Sequence, residues 1–378
     1  MKISTDIMDV LNNNEKIALD LRALYRQYGY QPFMMNKFEE YDLYAQNKNF
    51  LISNNVITFT DSNGKLMALK PDVTLSIIKN FKEQAGTVDK LYYNENVYRM
   101  DAGSHEYKEI MQTGLECIGA VDLYAMSEVI MLAIRSLMLI NDRFILDISH
   151  MGFVSGLLDE LALDELQTKE LLTAVKAKNI AETKHLCAEL SLSEELTAVI
   201  TEMTSLYAPF EQGITMLEKL SVNPQTAAAV AELKGIYEIL KDEGCAQNVY
   251  LDFSLTNDMD YYNGVIFRGY VDGLPSGVLA GGRYDNLVRR FGKDSSAIGF
   301  AVYLDLLERM NEQTRQYDVD VLMLYDQDTD MCALAQAVKM LTDNGQSVRV
   351  QRTNVGKLRY RQLLAMKNRG LEILETND

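Results

Sequence analysis

Cysteine and histidine are scarce in this chain, and the scarcity removes whole classes of chemistry. Of 378 residues, four are cysteine and three are histidine. Cys117, Cys187, Cys245 and Cys332 lie far apart without a Cys-x-x-Cys pair, and the histidines are equally scattered. Neither a zinc site nor a disulfide framework has the ligand spacing it needs, so a reduced, cytoplasmic protein without metal or cofactor is expected. His185 and Cys187 fall in a helical stretch and read as packing or surface residues. No apolar run approaches the roughly 20 residues of a membrane span. The segment MKISTDIMDVLNNNEK lacks the continuous apolar core of a secretory signal. Three signatures are missing as well: the Gly-x-x-x-x-Gly-Lys-Ser/Thr loop, Gly-x-Gly-x-x-Gly and the Gly-x-Ser-x-Gly elbow. Positive charge is also short, because 37 basic against 54 acidic residues leaves a net charge of -17. Nucleic-acid binding draws much of its affinity from basic residues on phosphates, so RNA is disfavoured as the main partner.

What remains is an ordinary globular composition, 47% hydrophobic and 24% charged, on a length that suggests two or three domains. In NNNEKIALDLRALYRQYGY, Ile17, Leu21, Leu24, Tyr25 and Tyr28 recur at helical spacing; asparagine offers a cap and Gly29 a stop. VITFTDSNGKLMALK reads as a hairpin turning at Asn63-Gly64. Pro71 ends its second strand, and DVTLSIIKNF reads as a helix. Strands are predicted over 90–99 and 106–119, joined by a polar loop around Ala102-Gly103-Ser104. From Leu157 to Ala208 there is neither glycine nor proline, which fits a block of helices running on to about Gly244 with breaks near Pro209 and Pro224. Strand-like sequence returns at NVYLDFSL, VIFRGYV and GVLAGGRYDNL. A β-α-β pattern begins near Tyr317. The order predicts an α+β protein: an antiparallel sheet domain over 1–314 with a helical insertion at about 157–244, then a small α/β domain over 315–378.

Several places concentrate polar groups. In a strand through EIMQTGLECIG, alternate residues share a face, so Gln112, Gly114 and Glu116 line one side. Met111, Thr113, Leu115 and Cys117 line the other and should pack on helices. Gln112 and Glu116 then stand roughly 13 Å apart at the backbone, able to converge on an amino-acid-sized ligand. A strand face that is simply wet is the plain alternative. The glycine pair in LAGGRYDNL marks either a close approach or a bulge. Arg99 is placed to grip a carboxylate or phosphate, although an exposed structural arginine is commoner. Asp72 and Thr74 serve equally well as ordinary first-turn helix residues. In LTNDMDYYNGVIF, two carboxylates and two adjacent tyrosines precede a strand, forming either a sheet edge or one wall of a site.

Taken in order, ALKPDVT (68–74), VYRMD (97–101), MQTGLECIG (111–119), MDYYNG (259–264), LAGGRYDNLV (279–288) and AIGFAVYLDLL (297–307) resemble the histidyl-tRNA synthetase family. The resemblance covers roughly 1–314, and the tail from Tyr317 looks like a shortened version of that family's C-terminal anticodon-binding domain. It implies the class II synthetase fold, an antiparallel sheet flanked by helices. It also implies a histidine pocket at Asp72, Thr74, Arg99, Gln112, Glu116, Tyr261 and Tyr262. Asp72 would take the ligand's amino group beside Thr74 and Gln112, Glu116 and the tyrosines the imidazole, and Arg99 the carboxylate.

Departures from the pattern are as telling. Where the family reads Arg-Gly-Leu-Asp-Tyr-Tyr, this chain has Asn257-Asp258-Met259-Asp260-Tyr261-Tyr262. For Gly-Leu-Glu-Arg it has Tyr303-Leu304-Asp305-Leu306, and for Arg-x-Glu-Arg it has Arg99-Met100-Asp101-Ala102. Adenylyl transfer is stabilised mainly by placed cations, so Asn257 and Leu306 stand where activation of histidine by ATP needs arginine. Tyr303 in place of glycine would narrow the nucleotide side. A kept amino-acid half and a lost ATP half match that family's non-catalytic paralogues, the regulatory subunits of ATP phosphoribosyltransferase. Such a chain would act in the first step of histidine biosynthesis and in feedback by histidine. Its implied partners are a short-form catalytic phosphoribosyltransferase and a second copy of itself, within a hetero-oligomer. An active histidyl-tRNA synthetase, or a histidine sensor with another partner, remains open at this point.

Overall fold

The computed structural model describes residues 11–47, 56–100, 106–255, 261–307, 316–353, 356–367 and 370–377. The chain divides into two compact units, a large one of residues 17–310 and one made of residues 1–16 and 311–378. In chain order the large unit has strands β1 Gln31–Pro32, β2 Phe38–Glu40, β3 Thr58–Thr60, β4 Leu66–Leu69, β5 Val88–Met100 and β6 Tyr107–Gly119. After them come β7 Phe144–His150, β8 Tyr207–Pro209, β9 Val249–Asp252, β10 Val265–Val271, β11 Leu279–Arg283 and β12 Ser296–Tyr303. The C-terminal unit adds β13 Val319–Leu324, β14 Val348–Gln351, β15 Tyr360–Lys367 and β16 Gly370–Thr376.

Among the described residues, nine strands form the main sheet in the order β1-β5-β6-β12-β11-β10-β7-β9-β8, and β2-β4-β3 form a small one. From β5 through β12, β11 and β10 to β7 every pairing is antiparallel, as expected from sequence. The margins differ from that expectation: β1 joins β5, and β9 joins β7, in parallel. The two-residue β1 follows directly on the first helix, Asn13–Gln27, and so enters the sheet without a hairpin.

Local signals were obeyed where they were strong. The first helix is capped reciprocally, Glu15 N–H donating to Asn12 Oδ1 at 2.9 Å and Asn12 N–H to Glu15 Oε2 at 2.8 Å. The β3–β4 hairpin turns at Gly64, whose φ of +81° favours glycine. The helical block runs from Met151 to Asp242, starting earlier than the sequence placed it. The block is also not purely helical, because β8 breaks it and pairs with β9 at the sheet margin. Pro209, which lacks an N–H, sits on that edge strand.

The helix Leu123–Ile140 covers one face of the main sheet. It has the length and apolar composition of a membrane span, an exception that the sequence reading passed over, but 67% of it is buried in the fold. Leu115 and Cys117 of β6, Val265 and Phe267 of β10, and Phe300 and Val302 of β12 share its hydrophobic core. These are the alternate residues predicted to face inward for β6. Gly269 permits the closest approach, since a Cβ there would stand 2.6 Å from Leu137.

The inserted block is tied to the sheet by charge. His150 Nδ1 accepts the Gly152 N–H at 3.1 Å, so Nε2 carries the proton and donates to Glu232 at 2.9 Å. Arg283 Nη1 reaches the other oxygen of Glu232 at 3.4 Å, and its Nε donates to buried Asp285 at 2.9 Å. This network holds the end of β11, and therefore the residue that follows it, in place.

In the C-terminal unit, β13 lies parallel to β14 and β15, with the helix Met331–Asp343 packed on Val321, Met323 and Leu364. The predicted β-α-β is present; the antiparallel β15–β16 pair was not foreseen. All seven residues of β16 are exposed, so it lacks the alternation that marks a half-buried strand in sequence.

Candidate functional site

The sheet face opposite the main core is floored by small residues. Register aligns Gly282, Gly299 and Glu116 across β11, β12 and β6, and aligns Ala280, Ala301 and Gly114 in the next row. Each glycine lies beneath a neighbouring side chain. A Cβ on Gly299 would stand 1.7 Å from Glu116 Oε2, one on Gly114 2.7 Å from the Tyr93 hydroxyl, and one on Gly282 2.7 Å from the Tyr262 ring. β11 pairs without a bulge, so the Gly281-Gly282 pair marks close approach, and the approaching groups belong to the protein itself.

Above this floor is a cavity of about 370 Å³, and all seven residues singled out from sequence line it. Gln112 and Glu116 come from β6 and Arg99 from the end of β5. Asp72 and Thr74 come from the start of the helix Thr74–Asn80, and Tyr261 and Tyr262 from the turn before β10. Gln112 and Glu116 are only 4% and 2% exposed, so the plain reading of a wet strand face does not hold. Arg99 is buried too, its Nε donating to the Pro71 carbonyl at 2.8 Å.

Glu116 is the hub. Its Oε1 accepts from the Thr74 hydroxyl at 2.7 Å and its Oε2 from the Tyr284 hydroxyl at 2.5 Å. Burial pushes its carboxyl up to about 8; the two hydroxyls pull it down less strongly, and the charge of Asp72 adds to the rise. Asp72 accepts the Leu75 N–H at 2.9 Å. Burial raises its carboxyl above the ordinary value, against the pull of that N–H and of Arg99. Burial also holds the Tyr93, Tyr261 and Tyr284 hydroxyls well above the ordinary phenol value, so they remain donors. Tyr261 packs edge-on against Tyr262, ring centroids 4.6 Å apart, and tilts toward Tyr284 at 5.9 Å. Two crowded carboxyls in an aromatic pocket favour a ligand that brings positive charge and hydrogen-bond donors. Buried polar groups of this kind discriminate strongly against ligands that leave them unpaired.

Sequence reasoning missed Tyr93, Tyr284 and Arg268, which also line the cavity, as does Tyr303, expected only to narrow the nucleotide side. Tyr93 was within reach, because it alternates with Arg99 on one face of β5. Tyr284 stands in the highlighted LAGGRYDNL, but only the turn after β11 swings its hydroxyl to a residue 168 positions away.

The family model for histidyl-tRNA synthetase matches residues 9–307. The chain belongs to the histidyl-tRNA synthetase family. Within and around that family, a curated relative from Acetivibrio thermocellus named ATP phosphoribosyltransferase regulatory subunit is 28% identical over 91% of this chain and 85% of its own. A solved structure from Bacillus halodurans, described as an ATP phosphoribosyltransferase regulatory subunit/histidyl-tRNA synthetase, is 26% identical. It superposes with a TM-score of 0.74, covering 93% of each chain. A chain of the ATP phosphoribosyl transferase complex from Thermotoga maritima shares the fold, with a TM-score of 0.61 at 19% identity over 78% of this chain and 98% of that one.

The departures from the histidyl-tRNA synthetase pattern fall unevenly on the structure. Tyr303 lines the cavity, on the side where the family reads glycine. Leu306, where the family reads arginine, is partly buried and packs against the main core. Asn257 lies outside the described residues, as do Asp258, Met259, Asp260, Asp101, Ala102 and His105.

Proposed function

We propose that this chain is the regulatory, non-catalytic subunit of an ATP phosphoribosyltransferase, acting in the first step of histidine biosynthesis and in its feedback by histidine. In this reading it binds histidine in the cavity described above and assembles in the cytoplasm with a short-form catalytic chain, as a dimer within a hetero-oligomer. One observation carries it. Asp72, Thr74, Gln112 and Glu116 are buried together around one cavity, while Leu306, where the family reads arginine, packs partly buried against the apolar core. A histidyl-tRNA synthetase needs cations on that side to stabilise the charge that develops during adenylyl transfer. The names carried by the relatives support the same assignment.

The regulatory effect requires that histidine bind two states of the assembly with different affinity, since equal affinity shifts nothing. The deciding experiment assays the catalytic phosphoribosyltransferase with and without this chain across a histidine titration. Activity should rise when the chain is added and fall as histidine is added. The purified chain alone should exchange no pyrophosphate into ATP in the presence of histidine. Histidine-dependent exchange would instead establish an active synthetase.

A further inference from the structure

We propose that Arg268 is a specificity-determining residue of the pocket, closing with Arg99 on the carboxylate of the bound amino acid. The proposal rests on the histidine reading of the same cavity and adds a residue that the family resemblance does not supply.

The argument begins with where positive charge stands. Among the described residues lining the cavity, the cations are Arg99 and Arg268. Arg99 is tethered through Nε to the Pro71 carbonyl, and its field acts on Asp72, the carboxyl expected to take the ligand's ammonium. Its charge is therefore shared with Asp72 before any ligand arrives. The cation that the family would contribute at position 257 is an asparagine here. A zwitterionic ligand held by Asp72 and Arg99 alone would leave its carboxylate poorly matched in a buried site, at a cost in affinity.

Arg268 is placed to supply the missing charge. It projects from β10 onto the cavity face, in register with Ala280 of β11, Ala301 of β12 and Gly114 of β6. Alanine and glycine at these positions leave only small groups on the sheet between Arg268 and β6, where the Tyr93 hydroxyl stands over Gly114. Its stem is positioned by Gly277, where a Cβ would meet Arg268 Cγ at 2.8 Å. Asp147, its direct cross-strand neighbour on β7, and Tyr270 both feel its charge, but among the described residues Arg268 forms no ion pair within 4.0 Å. Tyr303 gives a second line of support. Burial raises its hydroxyl, and the first two groups that pull it back are Arg99 and Arg268. The two guanidiniums thus act on one point of the cavity, beside Gln112, which pairs with Tyr303 across β6 and β12. A planar carboxylate between two guanidinium forks and a phenol hydroxyl satisfies the geometry these groups prefer.

The test measures calorimetric affinity for L-histidine, which has a carboxylate, and for histamine, which lacks it, on the full chain and on Arg268→Gln and Arg268→Lys. Histidine affinity should fall about 10- to 100-fold in Arg268→Gln, the loss typical of a charge-assisted pair. Histamine affinity should stay unchanged, and Arg268→Lys should recover part of the loss. Unchanged histidine affinity in Arg268→Gln overturns the proposal and leaves the histidine pocket standing. Equal losses for both ligands assign Arg268 a structural part and overturn it too. A wild-type chain that binds no histidine removes the pocket reading itself.

Discussion

Replacing Glu116 by alanine is expected to lower histidine affinity by at least about 100-fold while leaving the fold intact. The carboxyl accepts from Thr74 and Tyr284 and faces the space where an imidazole would lie. Truncation removes the ligand's partner and leaves two buried hydroxyls unsatisfied in the same stroke. Calorimetry gives the affinity and circular dichroism the fold; retained affinity in a folded variant would refute the pocket assignment.

The same residue dictates a pH profile. With the carboxyl at about 8 in the empty pocket and free imidazole near about 6.5, one proton is available to the pair across that window without uptake or release. Below it, the pair must release a proton on binding; above it, the pair must take one up. Affinity should therefore peak between about pH 6.5 and 8 and weaken up to about tenfold per pH unit on either side. Glu116→Gln should flatten the alkaline limb.

Stability follows with a definite sign. The folded carboxyl sits at about 8 against an ordinary 4.5, so the folded state holds its proton longer than the unfolded one. The contribution is fully present below pH 4.5 and is lost as pH rises through 8, on the order of 3–5 kcal/mol across the window. Glu116→Gln should match the wild type in Tm near pH 4.5 and exceed it above pH 8. A constant difference at all pH values would contradict the burial argument.

A single methyl group at position 299 is also expected to weaken binding. A Cβ on Gly299 would fall 1.7 Å from Glu116 Oε2 and 2.5 Å from the Leu115 carbonyl. The carboxylate must leave its place between Thr74 and Tyr284, and the β6–β12 ladder must give slightly. Gly299→Ala should weaken histidine binding at least about tenfold and cost about 1–3 kcal/mol in urea denaturation, the usual range for overpacking. Full affinity in this variant would show that the carboxylate has no need of the space above Gly299.

Much of this architecture could be read along the chain because the responsible forces act locally. The asparagine cap, the Gly64 turn and the two-residue period of β6 each depend on neighbours within a few positions. That period alone put Gln112 and Glu116 on one side and Leu115 and Cys117 on the other, and the fold keeps the division. The helical character of the insert was equally plain, but its short strand β8 was not. Three residues ending in proline carry no strand pattern of their own and pair only because β9 offers an edge.

The seven pocket residues were found through the order of motifs in the chain, a pattern that reports what a site contains without its dimensions. By itself, then, the sequence determined the secondary elements with strong periodicity, the two faces of β6 and the identity of the polar groups available to a ligand. Only the tertiary structure decided that Glu116 would be buried between hydroxyls from two distant segments, with its carboxyl raised to about 8. It also decided that glycines on three adjacent strands would admit the side chains of Glu116, Tyr93 and Tyr262, and that Arg268 and Arg99 would line the same cavity. The reason is physical: desolvation and cross-strand approach depend on which strands become neighbours, and that pairing is set by long-range packing that no local window contains.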